Sequence, residues 1–227
     1  MFDAIARRYD FLNHLLSAGI DRQWRRRAIV ALRLSGGERV LDLCTGTADL
    51  AIAACSAVPR AARAVGLDFS GAMLAVAAEK VARLRFEHAV SLVQSDATRL
   101  PIGDASIDCV TVAFGIRNLD RPEVACAEMH RVLRSGGRLA VLEFAIPDTA
   151  LLRGAYLAYF RHVLPWIGRL VSRDHGAYRY LPASVVAFAT PDEFVRILES
   201  CGFTQIQADP LTFGIVYLYT ARVEHDG

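Results

Sequence analysis

Short apolar segments alternate with helical patterns through the middle of this chain, and this alternation is the feature that most restricts its fold. Five segments have the length and apolar character of buried strands: residues 39–44, 64–68, 90–93, 107–113 and 138–144. Between them, apolar residues at helical spacing predict helices over 48–58, 70–84 and 121–134. Strands joined by helices form right-handed crossovers, so we predict a mostly parallel sheet with helices on both faces.

The N-terminal end of the chain departs from this alternation. Phe2, Ile5 and Tyr9 begin a repeat of apolar residues at three- and four-residue steps, which is typical of an amphipathic helix. A second helix is predicted over residues 22–34, before a Ser-Gly-Gly turn. The sequence therefore predicts a helical arm over residues 1–35.

The C-terminal end also differs from the middle. Thr-Pro-Asp-Glu at 190–193 is a capping box with proline at the first helical position, which predicts the start of a helix. Two strands, 203–208 and 212–220, follow with a link too short for a parallel crossover, so the sheet should finish antiparallel. Residues 147–189 interrupt the pattern and are expected to form a helical cap over the ligand edge of the sheet.

These elements add up to an α/β fold with seven strands. We predict a single domain over 1–227 with four parts: the arm (1–35), a cofactor-binding core (36–146), the cap insertion (147–189) and a C-terminal helix and hairpin (190–227).

Composition excludes several other classes of protein. With 53 % hydrophobic residues the chain is not intrinsically disordered, and a net charge of +2 does not suggest nucleic-acid binding. The five cysteines contain no C-x-x-C pair, which argues against a disulfide framework and a zinc site, and for a reducing, cytoplasmic compartment. We expect no bound metal, no secretory signal and no membrane-spanning helix, since no run of 18 apolar residues is present.

Acidic residues lie near the ends of three successive predicted strands. Asp42 lies in the first strand, just before a turn whose single glycine, Gly46, permits close approach of a ligand, and it suits a cationic one. Asp68 ends the second strand, where a carboxylate can accept hydrogen bonds from ribose hydroxyls, and Asp96 with Ala97 follows the third. Any one of these could be a loop or cap residue, but together they favour a nucleoside site. The absent G-x-G-x-x-G pattern argues against a nicotinamide-dependent oxidoreductase.

Longer motifs resemble one protein family. The stretches LDLCTGTADLA, GLDFS, SDATRLP and LRSGGRLAVLEF are similar to those of class I S-adenosylmethionine-dependent methyltransferases, which have a Rossmann-like fold. Four further stretches resemble, more narrowly, the ubiquinone/menaquinone biosynthesis C-methyltransferases of the UbiE/MenG type: FDAIARRYDFLN at 2–13, FGIRN at 114–118, YRYLPASV at 178–185 and LTFGIVYLY at 211–219. Together these stretches extend over nearly the whole chain.

The resemblance implies a reaction and a set of cofactor contacts. It implies that the chain binds S-adenosylmethionine and methylates a ring carbon of a prenylated hydroquinone. Thr47, Asp68, Asp96 and Ala97 would contact the cofactor, and Gly46 would allow close approach near its methionine portion.

Three positions depart from the family pattern. Ala48 stands where the turn usually has glycine, Ala113 where many relatives have serine, and Phe213 at the first glycine of a tail that often contains LTGG. The alanine at 113 removes a hydroxyl that could bond the cofactor. These departures leave open a non-enzymatic reading, in which the chain is a binding or assembly subunit of a quinone-synthesis complex.

Methyl transfer from a sulfonium requires a carbon nucleophile held in line at roughly 3–3.5 Å, with water excluded. Arg117 and Asn118, just after the fourth predicted strand, are the first candidates for catalysis. A permanently charged guanidinium can stabilise a phenolate oxygen, and an amide can orient the ring. A surface ion pair is the alternative role for Arg117. The base that accepts the ring proton is a water molecule, Tyr9 or His162, and the sequence does not choose among them.

The cap suits a lipophilic substrate. Residues 150–171 are rich in leucine, tyrosine and phenylalanine, but arginines and Pro165 make a membrane span costly. We expect an amphipathic cap whose apolar face contacts the quinone tail or a bilayer surface, with the protein peripheral on the inner membrane face. The alternative is a pair of helices that pack against the core or form a dimer interface. The sequence therefore does not decide whether the protein is a homodimer. Benzoquinol and naphthoquinol rings both remain open, as does another small lipophilic or phenolic acceptor.

Overall fold

The computed structural model describes residues 17, 19–147, 149–159 and 175–224. In chain order the helices and strands are α1 (Asp21–Ala31), β1 (Arg39–Leu43), α2 (Asp49–Ser56), β2 (Arg63–Asp68), α3 (Gly71–Arg83), β3 (Val90–Gln94), β4 (Ile107–Ala113), α4 (Pro122–Val132), β5 (Leu133–Phe144), α5 (Ala150–Ala158), α6 (His175–Ala187), α7 (Pro191–Ser200), β6 (Phe203–Leu211) and β7 (Val216–Val223). Short 3₁₀ turns occupy Ile116–Asn118 and Thr212–Gly214.

The described strands form one seven-stranded sheet in the order β3-β2-β1-β4-β5-β7-β6. The first five strands pair in parallel, and β7 pairs antiparallel with both β5 and β6. This confirms the predicted fold class. Strand order reverses at β1, which pairs with β2 on one side and β4 on the other, and such a switch point opens a crevice at the carboxyl ends of the strands.

Two helix starts predicted from the sequence are confirmed by their capping hydrogen bonds. The Ser70 hydroxyl accepts from the Met73 amide at 3.1 Å, just before α3. At the start of α7, the Thr190 hydroxyl accepts from the Glu193 amide, while the Glu193 carboxylate accepts from the Thr190 amide at 2.7 Å. Each pair satisfies backbone donors that a helix leaves without an internal partner.

The predicted boundary between α4 and β5 is wrong. The sequence placed a helix stop at residues 135–137 and the strand start at 138, whereas β5 begins at Leu133 and runs through the glycines. Leu133 pairs with Ile107 and Arg138 with Cys109, so the intervening residues bulge out of the ladder. Gly136 has a φ of +74°, a left-handed conformation that glycine adopts at low cost, and the glycine pair therefore serves a bulge instead of a helix end.

The C-terminal hairpin is confirmed, but its link lies later in the chain than predicted. β6 continues through Pro210, which pairs with Tyr217, and the 3₁₀ turn at 212–214 makes the connection. Proline lacks an amide donor and is tolerated here because β6 is an edge strand.

Two apolar clusters pack on opposite faces of the sheet. The first joins the sheet to α1, α2 and α3 and includes Trp24 and Ala28. The second joins it to α4 and α7 and includes the fully buried Met129, Phe194 and Tyr219. Burial of a large apolar side chain stabilises a fold by about 1.5–3 kcal/mol, so these clusters hold the crevice edge in place.

In the parts of the chain that the structure describes, no helix combines the length and the apolar character that a membrane crossing requires.

Candidate active site

A pocket of about 410 Å³ opens at the carboxyl ends of β1 to β4, at the predicted switch point. Its walls come from four turns: Cys44 and Gly46 after β1, residues 67–70 after β2, residues 95–98 after β3, and residues 113–115 and 118–121 after β4. The volume falls within the range of pockets that bind small ligands.

The turn after β1 is built from left-handed residues. Cys44, Gly46 and Ala48 have φ values of 53°, 54° and 67°, and this backbone turns sharply from the strand into α2. Ala48 is the residue that replaces the glycine of the family turn, and it is fully buried as the residue that precedes α2. Ala48 therefore holds a left-handed backbone conformation that costs an alanine more than a glycine.

Asp42 holds this turn from beneath. It is 1 % exposed, and its carboxylate accepts from the Thr45 hydroxyl at 2.6 Å, the Thr111 hydroxyl at 2.8 Å and the Ala51 amide at 3.1 Å. Burial raises the pKa of Asp42 to about 6, although these hydrogen bonds act in the opposite direction. Asp42 borders a recess of about 20 Å³ below the turn and is not part of the pocket wall, so the structure places it as a support.

Asp68 joins the first turn to the second. Its two oxygens accept from the Gly46 amide at 2.8 Å and the Ser70 amide at 2.9 Å. Both Gly46 and Asp68 line the pocket, which places this predicted pair beside any ligand there.

Asp96 and Ala97 supply the wall after β3. The Asp96 carboxylate accepts from the amide and the hydroxyl of Thr98, both at 2.8 Å, and these bonds lower its pKa. Asp96 is exposed while Ala97 is buried against the second apolar cluster, so a carboxylate and an apolar surface meet at one end of the pocket.

Thr47 lies in the recess below the turn and outside the pocket wall. Its side chain is buried, and its hydroxyl accepts from the Lys80 ammonium at 3.0 Å. Lys80 also donates to Asp49 at 2.6 Å. The chain's single lysine thus ties α3 to the start of α2, and nothing in the sequence pattern singled it out for this role.

Arg117 forms a buried ion pair, which differs from the surface pair considered as its alternative. Its Nη1 donates to Glu143 at 2.6 Å and to the Phe114 carbonyl at 2.6 Å, and its Nε donates to Ser184 of α6 at 3.3 Å. The Arg117 and Glu143 side chains are 7 % and 1 % exposed. The guanidinium also lies 5.3 Å from the centre of the Phe144 ring. This network connects the end of β4 to β5 and to the cap.

Asn118 presents a polar atom to the pocket. Its Nδ2 donates to the Phe114 carbonyl at 3.3 Å. Its buried Oδ1 has no hydrogen-bond partner within the described part of the chain, and the residue lines the pocket. A buried acceptor of this kind is costly unless a ligand or water satisfies it.

The sequence reasoning did not identify Glu143 and Ser184. Glu143 follows the same rule that found the other carboxylates, since it is an acidic residue near the carboxyl end of a parallel strand. Ser184 lies within the family-like stretch at 178–185, but its contact with Arg117 depends on how α6 meets the turn after β4. Tyr9 and His162, the candidate bases, lie outside the described residues.

The residues of the pocket fit S-adenosylmethionine. Asp68 and Asp96 give the wall negative charge, which suits a sulfonium and an ammonium group, and Asp68 stands where a ribose diol would find an acceptor. The buried Asn118 Oδ1 supplies a further acceptor that lacks a protein donor in the described residues.

Fold and pocket together define a class I S-adenosylmethionine-dependent methyltransferase. A model of the ubiE/COQ5 methyltransferase family matches residues 1–222, and the chain belongs to this family. The family resemblance and the prediction of S-adenosylmethionine as methyl donor are thereby confirmed.

Relatives with similar sequences match this chain almost from end to end. The protein named ubiquinone/menaquinone biosynthesis C-methyltransferase UbiE of Syntrophotalea carbinolica is 49 % identical over 97 % of this chain and 91 % of its own. Two proteins named demethylmenaquinone methyltransferase are also similar. The one from Thermus thermophilus is 44 % identical over 96 % of this chain and 98 % of its own. The one from Bacteroides fragilis is 42 % identical over 97 % of this chain and 90 % of its own.

Solved structures share the fold at low sequence identity. The [4+2]-cyclase SpnF is 18 % identical, with a TM-score of 0.73 over 100 % of this chain and 95 % of its own. A SAM-dependent methyltransferase from Aquifex aeolicus is also 18 % identical, with a TM-score of 0.61 over 87 % of each chain. One of these two proteins is a cyclase by name, so this likeness shows the fold alone.

Proposed function

We propose that this pocket binds S-adenosylmethionine and that the methyl acceptor is a ring carbon of a prenylated hydroquinone, held between the turn after β4 and the cap. Family membership and the names of the relatives confirm the predicted activity, which is S-adenosylmethionine-dependent C-methylation in quinone biosynthesis. The main support for placing the cofactor site here is the pocket itself. Its wall brings together Gly46, Asp68, Asp96 and Asn118 at one edge of the sheet.

Asp68 and Asp96 bind the cofactor in this proposal. Each carboxylate is fixed by two hydrogen bonds from neighbouring donors, so its orientation is set before a ligand arrives. Prior orientation reduces the ordering cost of binding. Asp42 and Thr47 act indirectly, since Asp42 anchors the turn and Thr47 is held by Lys80.

Asn118 is the proposed contact with the acceptor ring. The bound cofactor supplies an electrophilic methyl group, and the ring carbon becomes nucleophilic when its neighbouring hydroxyl acquires phenolate character. The Asn118 Oδ1 can accept a hydrogen bond from a ring hydroxyl and so fix the orientation of the ring.

Arg117 positions this segment. Its charge is balanced by Glu143 and its bonds reach Phe114 and Ser184, so it holds the backbone of the turn after β4 against the cap. It would stabilise a phenolate directly only if the ring hydroxyl approached the same guanidinium that Glu143 already neutralises. The ring proton leaves to water, Tyr9 or His162.

The cap is proposed to cover the quinone tail and to contact the membrane surface peripherally through residues 150–171. Tyr156 in α5 is buried, and burial raises its pKa, while Leu151 at the start of the helix is 82 % exposed. Buried and exposed apolar residues on one helix support an amphipathic element with a lipid-facing side. Formation of a homodimer through this cap is the competing proposal. We also propose that the whole chain forms a single domain.

The activity is tested by incubating the purified protein with S-adenosylmethionine and either a demethylated naphthoquinol or the benzoquinol counterpart. Mass spectrometry should show one added methyl group on the ring of one or both acceptors. Binding of S-adenosylmethionine without transfer to either quinol would point to another phenolic acceptor. No binding heat at high cofactor concentration would instead favour an assembly subunit.

A further inference from the structure

A second concave surface lies on the face of the sheet covered by α1, α2 and α3. We name it the arginine groove after its six basic side chains: Arg22, Arg25, Arg26, Arg33, Lys80 and Arg83. It has a volume of about 910 Å³, more than twice that of the cofactor pocket, and none of the pocket's lining residues borders it. Asp49 is the one carboxylate that the described residues contribute to its wall.

The positive charge of the groove is only partly neutralised. Lys80 donates to Asp49 at 2.6 Å, and Arg25 lies 3.7 Å from the same carboxylate and also pairs with Asp21. The four other arginines make no ion pair with any carboxylate in the described part of the chain. Four uncompensated guanidinium groups around one concavity attract an anion.

Apolar side chains accompany these charges. On α1, Arg22, Arg26 and Val30 stand four residues apart and form one stripe along the helix. Val30 is 66 % exposed, and Val58 after α2 is 98 % exposed. Leu84 at the end of α3 is 47 % exposed. The groove therefore combines a basic rim with an exposed apolar surface.

We propose that the arginine groove binds an anionic phospholipid at a membrane surface, with the phosphate among the arginines and an acyl chain against the apolar side chains. The argument is charge complementarity together with this exposed apolar surface, since an anion alone would leave Val30 and Val58 uncovered. Basic and apolar residues together are the pattern by which peripheral proteins bind anionic bilayers. The proposal does not depend on the methyltransferase reaction, because its readout is lipid binding.

Vesicle sedimentation of the full chain tests the proposal. We expect the protein to pellet with vesicles of phosphatidylcholine containing phosphatidylglycerol, and far less with phosphatidylcholine alone. Binding should weaken as salt rises, because exposed charges are screened. The double variant Arg26→Gln/Arg83→Gln should bind about 30-fold more weakly, since each arginine near an anionic surface contributes about fivefold. A second variant, Val30→Gln/Val58→Ser, should bind more weakly with the charges intact.

A charge-matched control is Arg99→Gln/Arg196→Gln. Both arginines are exposed, and their neighbours Leu100 and Val195 pack against the second apolar cluster, on the opposite face of the sheet. This variant should pellet like the unmodified protein. All variants should keep their affinity for S-adenosylmethionine in calorimetry, which shows that they are folded.

Four outcomes would overturn the proposal. Equal loss of vesicle binding in the control would mean that net charge, and not the groove, attracts the bilayer. Binding of inorganic phosphate without vesicle binding would leave only a phosphate site. Binding of polyglutamate without vesicle binding, lost in the Arg26→Gln/Arg83→Gln variant, would assign the groove to an acidic protein. Faster hydrogen exchange of residues 2–12 in that variant, without vesicles, would show that the chain's own N-terminal segment covers the groove.

Discussion

Two parts of the crevice edge carry charge differently: the pocket wall after β2 and β3, which we call the first half, and the segment after β4 and β5, which we call the second half. At the ends of β2 and β3, Asp68 and Asp96 are fixed by backbone and hydroxyl donors and lie at the pocket wall. At the ends of β4 and β5, Arg117 and Glu143 lie outside the described wall of the pocket, where they are buried and pair with each other. The first half can attract a cationic cofactor, whereas the second is suited to a neutral, largely apolar ring.

Under the proposed function, this difference separates two tasks within one crevice. A methyl donor with a positive sulfonium would be bound by charge, and the protein carboxylates that bind it can remain near water. A quinol ring would be bound by shape, and the polar groups beside it must be satisfied internally or by the ring itself. The unpartnered Asn118 Oδ1 is the one buried acceptor at the junction of the two halves that the described residues leave for a ligand.

The largest effect is expected from removal of the buried charge in the second half. Arg117→Ala leaves Glu143 buried without its partner, and such a change lowers the free energy of unfolding by roughly 3–5 kcal/mol. Chemical denaturation measures it. The matched control is Arg134→Ala, whose ion pair with Asp108 involves an arginine that is 56 % exposed, so its loss should be below about 1 kcal/mol. Similar losses in both variants would contradict the structural role of Arg117. Turnover should also fall, by more than cofactor affinity does.

We expect the free energy of unfolding to depend on pH because of Asp42, the buried carboxyl group beneath the turn after β1. Because burial raises the pKa of Asp42 from 3.8 to about 6, the folded protein holds this proton more tightly than the unfolded chain does. Its contribution to stability is complete below pH 3.8 and is lost as pH rises through 6, with a magnitude of about 3 kcal/mol. Unfolding free energies measured between pH 3.5 and roughly 7 test this, and the Asp42→Asn variant should lack the slope.

Other carboxylates provide the internal check for that measurement. Burial by itself would raise the pKa of Glu38. Hydrogen bonds from Ser35 and Arg138 outweigh burial and lower this pKa from 4.5 to about 2. Its contribution is present above pH 4.5 and is lost as pH falls through 2, which is the opposite slope. The contribution of Glu38 is the same in the unmodified protein and in the Asp42→Asn variant, so it cancels when their unfolding free energies are subtracted. An unchanged slope in Asp42→Asn would exclude Asp42 as its origin.

A smaller effect in free energy is expected at the cofactor wall. Asp68→Asn removes the charged acceptor that is proposed to bind the cofactor's ribose hydroxyls, and hydrogen bonds to charged groups contribute about 1.5–3 kcal/mol. The Kd for S-adenosylmethionine should therefore rise roughly 10- to 150-fold in calorimetry. Asp209→Asn, an exposed carboxylate on β6, is the control and should leave the Kd unchanged. If both variants bind equally well, the cofactor does not bind beside Asp68.

The smallest effect concerns the left-handed residue that replaces a family glycine near the hairpin. Phe213 has a φ of 60° and is 78 % exposed, so its ring gains little to offset the backbone strain. Phe213→Gly should raise the free energy of unfolding by up to about 1 kcal/mol, while Phe213→Ala keeps the Cβ and should not. Equal stabilities of the two variants would show that the strain is not relieved by glycine.

The sequence predicted the first half better than the second for a physical reason. Asp68 and Asp96 lie where their own strands end, so the local pattern of apolar strand and polar turn places them without knowledge of the tertiary fold. The predicted hairpin and the capping box at the start of α7 are local in the same sense. Arg117, by contrast, is defined by Glu143, 26 residues away, and by Ser184, 67 residues away, and no spacing rule encodes those contacts.

Two errors in the prediction have the same origin. The Ser-Gly-Gly sequence at 135–137 predicts a helix stop and Pro210 predicts a link, because glycine and proline are common in turns. In the sheet, the pairing of β5 with β4 and the edge position of β6 accommodate them within strands. Tertiary context therefore decided between two conformations that the local sequence permits.

The most direct test of the separation between the two halves is a paired measurement on Asn118→Ala. This variant removes the unpartnered acceptor and leaves Asp68, Asp96 and the Arg117–Glu143 pair in place. We expect kcat for methyl transfer to fall at least about tenfold, while the Kd for S-adenosylmethionine measured by calorimetry changes less than about threefold. A Kd that rises about tenfold with kcat unchanged would place Asn118 in the cofactor half and contradict the division of the crevice.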